Sequence, residues 1–221
     1  MGVGQRSRLV PISIFVVAAL VVLMDVVVMP VLSSGSAPSA GIILNDFIVV
    51  LLAGLIGLFV SRRIGYPLWW RRGGGSTASR RATYVVVFLS VSIVAANTLI
   101  EVISVEKAVD LAPWMALLTP ETATAVSVRA ALTEETFFRL FLFPLIVWVF
   151  RYFVKSRESS SVIGAVVSTA VFGLIHPGFL LAFLIGLAFV FIYYHRGLLP
   201  AMMVHFFADA IPFVLISMML V

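Results

Sequence analysis

Three short patterns carry the side chains that could do chemistry, and all three lie in apolar surroundings. The first is Thr133-Glu134-Glu135-Thr136-Phe137-Phe138-Arg139. The second is Phe172 followed four positions later by His176, and the third is His205 followed four positions later by Asp209. Residues four apart share a helix face, so Glu135 can pair with Arg139, and His205 with Asp209. Glu134 points about 100° away from Glu135 on a helix and has no partner on its own element, so its partners must come from other helices. A charged group at the centre of a membrane helix costs about 2.5–3.5 kcal/mol on insertion scales. A chain that needed only an anchor would place Leu there, so the cluster reads as a functional site. The competing reading, charges that merely lock helix packing, loses ground because two of only three histidines also sit in or at the ends of apolar spans.

Each residue type has a chemical job. A carboxylate taken out of water holds a proton more tightly and so suits a general base near neutrality, which is the role open to Glu134. A neutral histidine such as His176 can orient the same water. His205 with Asp209 can stabilise a developing oxyanion, or fix each other's proton arrangement. Together these groups describe attack of activated water on a carbonyl. Glu134, His176, His205 and Asp209 are equally a conceivable N/O ligand set for zinc. No His-Glu-x-x-His motif supplies a ready pair of ligands on one helix, so a metal is permitted and none is required. Ser104, Ser127 and Ser168 have no Gly-x-Ser-x-Gly setting and read as packing residues. His195, beside Arg196, reads as interfacial.

The elements that must position these groups are membrane helices. Of 221 residues, 62% are hydrophobic and 11% charged, with a mean hydropathy of +1.17. Soluble domains are about 45–50% apolar and about 25% charged. The fold class is therefore all-α, a polytopic membrane bundle of about seven transmembrane helices, read as a single membrane-embedded domain over 1–221. The spans are predicted at 9–32, 41–60, 83–105, 123–153, 162–175, 179–194 and 198–221. Asp25 in the first span reads as snorkelling or interface-facing, and Arg129 as lying at the headgroups. Asn97 and Glu101 share a face of the third span, with Glu101 either interfacial or part of the site. Gly54 and Gly57 suggest close helix contact. Residues 61–82 form a loop with Trp69 and Trp70 as interface anchors and Gly73-Gly74-Gly75 as a flexible linker. Residues 106–122 form a mixed loop.

The net charge of +5 comes mostly from arginines in loops, which speaks to topology and not to nucleic acid. With seven spans, the arginine-bearing segments at the N-terminus, 61–82, 151–161 and His195-Arg196 all fall on one side. The positive-inside rule makes that side cytosolic, in a cell membrane with the N-terminus inside. The chain has no cysteine, which excludes disulfides, thiolate catalysis and Cys-ligated metals.

The three patterns, in this order and on successive late spans, together with Gly197-Leu198-Leu199-Pro200-Ala201 ahead of His205, resemble the CAAX prenyl protease and bacteriocin-processing family, also called the CPBP or Abi family. The resemblance covers about residues 123–212, a catalytic core within the single domain. It implies an intramembrane endopeptidase acting on a membrane-anchored or lipid-modified, CAAX-like peptide or protein among membrane lipids. It further implies Glu134 as the water-activating glutamate, His176 as its partner, and His205 and Asp209 as the pair implicated at the oxyanion. Glu135, Arg139 and Phe172 complete and brace the motifs. The last position is Asn or Asp among relatives, and Asp here adds a charge. A glutamate-activated water needs no cofactor, while the family's names include metalloprotease. Two rivals remain: a non-catalytic membrane scaffold or bacteriocin self-immunity protein that kept the motifs, and a proton relay built from Glu, His and Asp.

One expectation concerns depth. At 1.5 Å per residue, His176 lies about 20 Å along its span and His205 only about 10 Å along its own. They can meet only if helices are broken, offset or tilted around a cavity, with Pro177 and Pro200 as the candidate breaks.

Overall fold

A computed structural model describes residues 3–32, 40–70, 77–105 and 113–220. The Ser33-Ser34-Gly35-Ser36-Ala37 loop, Arg71, Arg72 and the three glycines, and residues 106–112 of the mixed loop lie outside the described residues. The chain is helical: α1 (Val3–Leu32), α2 (Ala40–Ile64), α3 (Thr77–Ile103), α4 (Pro120–Glu134), α5 (Phe143–Phe150), α6 (Arg157–Leu174), α7 (Phe179–Arg196) and α8 (Leu198–Met219). Between α4 and α5 runs a π-helical segment, Glu135–Leu142. α4, this segment and α5 follow one another without a break over the stretch predicted as the fourth span. Among the described residues, four helices are long and apolar enough to cross a membrane: Ala40–Ile64, Ser79–Ile103, Phe179–Arg196 and Leu198–Met219. The chain is an integral membrane protein built as a helical bundle.

Local sequence sets several helix ends. α4 begins earlier than predicted, at Pro120. Thr119 accepts a hydrogen bond from the Thr122 amide and donates its own amide N–H to the Thr122 hydroxyl, closing a capping box. Proline suits the first helical position, where an N–H has no partner anyway. α6 begins on Ser156, whose hydroxyl accepts from the Ser159 amide at 3.2 Å. The predicted break at His176-Pro177-Gly178 is present as the turn between α6 and α7, with Gly178 left-handed at φ 79°. Pro200, by contrast, breaks nothing. It lies in the first turn of α8, where proline is tolerated.

The α7–α8 junction is held by residues expected only to anchor the surface. The Leu198 and Leu199 amides donate to the carbonyls of Leu68 and Trp69 at 2.8 and 2.9 Å, which satisfies two of the orphan donors at the start of α8. Gly197 permits this at φ 99°, and a Cβ there would stand 2.8 Å from the Trp69 carbonyl oxygen.

The core runs through Val21 on α1, Leu58 on α2, Leu140, Phe143, Tyr193 on α7 and Leu198. The apolar side chains of α3 point largely outward, as with Phe88, Val91 and Leu99, which suits a helix facing lipid. α4 packs on α8 and α1, the π segment packs on α2, and α6 packs on α5 and α7. The elements carrying the three patterns therefore share one interior.

A second correction concerns Asp25 and Arg129. Asp25 does not snorkel: it is fully buried. Arg129 does more than face headgroups, because its guanidinium bridges Asp25 on α1 and Asp46 on α2. A charge buried among helices is tolerated when it is paired, and this triad ties the first two helices to the one bearing Glu134.

Candidate active site

The four helical segments deliver six polar side chains to one place. Glu134 ends α4. Its Oε2 lies 3.3 Å from Nε2 of His176, at the α6–α7 turn, and 3.8 Å from Nε2 of His205 on α8. Glu134 thus finds its partners on other helices, as its helical phase requires. His205 Nε2 also lies 3.3 Å from Asp209 Oδ2, and Arg139 pairs with Glu135 at 3.4 Å. The patterns that sequence spacing singled out are brought together.

The depth conflict is resolved in part by side-chain direction. The His176 ring folds back over its own helix, 4.2 Å from the Phe172 ring, and its Nδ1 lies 2.7 Å from the Phe172 carbonyl. One helical turn is about 5.4 Å, so this fold drops the imidazole toward the level of His205. Phe172 also meets His205, at 6.4 Å, and so spaces the two imidazoles.

Proton positions follow from these partners. The Phe172 carbonyl can only accept, so Nδ1 of His176 carries a hydrogen and Nε2 faces Glu134. His205 Nδ1 lies 2.8 Å from Glu135 Oε1. Nδ1 donates to that carboxylate, which turns Nε2 toward Glu134 and Asp209. Sequence spacing could not reveal this bond, because it joins two helices across 70 positions. The His205 ring is further fixed by stacking on Phe189, at 4.8 Å and 17°.

Exposure divides the cluster. The side chains of Glu134, His176 and Asp209 are 24, 28 and 22% accessible. Glu135 and Arg139 are sealed, at 0 and 1%. The first three side chains are partly open, although Glu134 Oε2 itself is buried, and the last two are closed off. The Arg139 guanidinium sits over Phe172 at 4.3 Å, Phe189 at 5.2 Å and Phe138 at 5.7 Å. Faces of aromatic rings attract a desolvated cation, which is how an arginine persists in this interior. Asn97 donates to the Ala208 carbonyl at 2.9 Å and draws α3 against α8 next to Asp209. Glu101 lies on the same face of α3. His195 packs against Phe191 and Tyr194.

Among the described residues, no group of three or more His, Cys, Asp or Glu side chains is disposed to hold a metal ion. Nδ1 of each histidine is held, by Phe172 and by Glu135, and both Nε2 atoms face Glu134. The residues do not fit a closed zinc centre, and no chemical step is derived through one.

Residues 112–211 match the family model described as Type II CAAX prenyl endopeptidase Rce1-like. No curated protein and no solved structure matches the chain. The matched stretch contains all three patterns.

Proposed function

We propose that this integral membrane protein, with its Rce1-like region over residues 112–211, hydrolyses a peptide bond in a membrane-anchored or lipid-modified, CAAX-like substrate. Glu134 serves as general base. The observation that carries the reading is the convergence of Nε2 of His176 and of His205 on Oε2 of Glu134, at 3.3 and 3.8 Å. A water held between Glu134 and His176 loses a proton to the carboxylate and attacks the scissile carbonyl. His205, aligned by Glu135, offers an Nε2–H to the oxyanion when both ring nitrogens are protonated, and Asp209 supports that state. Glu134 then returns its proton to the departing amine. The whole of 1–221 acts as one domain, with the N-terminus cytosolic, and the scheme needs no cofactor.

The test is Glu134→Gln, which keeps the side chain's shape and removes its basicity. In proteoliposomes given a farnesylated reporter peptide with a CAAX terminus, this variant should cleave about 1,000-fold more slowly than the parent while melting like it. Cleavage at the parental rate would remove Glu134 from the mechanism.

A further inference from the structure

The helix bearing Glu134 is not a regular α-helix where it carries its charges. From Glu135 to Leu142 it is π-helical, and the Phe143 amide reaches back to the Phe138 carbonyl, five residues away. Such segments are rare and cost hydrogen-bond geometry, so something must impose this one.

Pro144 supplies the cause. A proline inside a helix has no N–H for the carbonyl four residues back, and its ring collides with that carbonyl. Here the carbonyl is that of Leu140, next to Arg139. The displaced Leu140 oxygen is met from α2: the Ser61 hydroxyl donates to it at 3.4 Å. Tyr193 on α7 in turn lies 3.0 Å from the Ser61 oxygen. Each hydroxyl has one hydrogen, so Tyr193 donates to Ser61 and Ser61 to Leu140. Ser61 and Tyr193 are both fully buried, so no bulk water can replace these bonds. Gly57, one turn earlier on α2, leaves the room: a Cβ there would stand 2.4 Å from the Leu140 oxygen.

We propose that Pro144, Gly57, Ser61 and Tyr193 form a positioning clamp that holds the π turn and so sets the places of Glu134, Glu135 and Arg139 relative to the two histidines. Its catalytic part rests on the reading of Glu134 as base. None of the four touches the reacting atoms; they act through Leu140 and the backbone.

The clamp has a signature that ordinary packing lacks. Pro144→Ala restores an N–H to the position facing Leu140. It should leave the melting midpoint of the full chain in detergent unchanged or raised, yet lower kcat on the farnesylated reporter by about 100-fold with KM unchanged, as expected for a slight misplacement of catalytic groups. Ser61→Ala should lower the midpoint in the parent and lower it far less in the Pro144→Ala background, where Leu140 no longer needs the hydroxyl. An equal lowering in both backgrounds, or a parental kcat in Pro144→Ala, overturns the proposal. Should Pro144→Ala fail to fold, two glycine variants decide. Gly57→Ala pushes on the Leu140 backbone and should lower kcat, whereas Gly54→Ala meets only the Ile14 side chain, at 2.5 Å, and should keep it. Equal kcat in the two variants overturns the clamp. The midpoint comparison needs no substrate, so a parent that cleaves nothing defeats the protease reading and leaves the clamp still decidable.

Discussion

Glu135 and His205 are joined across the bundle by a 2.8 Å contact between Oε1 and Nδ1, with the glutamate fully buried. This bond turns a histidine on α8 so that its other nitrogen faces Glu134. Of the two adjacent glutamates, the side chain of Glu134 is 24% accessible and that of Glu135 is sealed. Glu135→Gln should reduce kcat by about 100-fold and also lower the melting midpoint, because an amide oxygen accepts from Nδ1 without the charge that steadies a doubly protonated ring and balances the buried Arg139. Steady-state kinetics with KM reported separately checks this. Glu135→Ala should instead fail to accumulate in the membrane, since it leaves Arg139 buried and unpaired, at a cost of about 3–5 kcal/mol.

The aromatic cage around Arg139 leads to a second expectation. Its planar guanidinium stacks over Phe172 and Phe189, which an ammonium cannot reproduce. Arg139→Lys keeps the charge and should still destabilise the protein by about 0.5–2 kcal/mol, read as a lowered melting midpoint of the purified variant.

The Arg129 triad gives a third. Arg129→Gln strands Asp25, which is fully buried, and should cost about 3–5 kcal/mol. Adding Asp25→Asn removes the stranded charge and should recover part of the loss. Midpoints of the single and double variants measure it; no recovery would mean that Asp25 does not depend on Arg129.

A fourth concerns metal. Among the described residues, the ligating side chains do not gather as a metal centre. Prolonged dialysis against a strong chelator should therefore leave the cleavage rate of the reporter unchanged.

The sequence made the helical bundle legible because its apolar runs are long and separated by arginine-bearing or glycine-rich loops. Glu134, His176, His205 and Asp209 were legible because ionisable groups are conspicuous in such runs. What spacing conveys is contact within one helix, so Glu135 with Arg139 could be read and Glu135 with His205 could not. Asp25 and Arg129 were misplaced for the same reason. Each looks like a boundary residue alone, and only the approach of α1, α2 and α4 joins them in an ion-pair triad with Asp46. Pro144 was visible in the sequence but silent, since a proline foretells a disturbed helix without saying which carbonyl another helix will capture.

The convergence on Glu134 is tested most directly by the single-turnover cleavage rate of the farnesylated reporter in proteoliposomes, measured for the parent, Glu134→Gln, His176→Asn and the double variant. If both side chains act on one water, each single change removes the same step, and the double variant cleaves no more slowly than Glu134→Gln. Rates that fall independently, so that the two losses multiply, or a single variant that keeps the parental rate, would contradict a shared site.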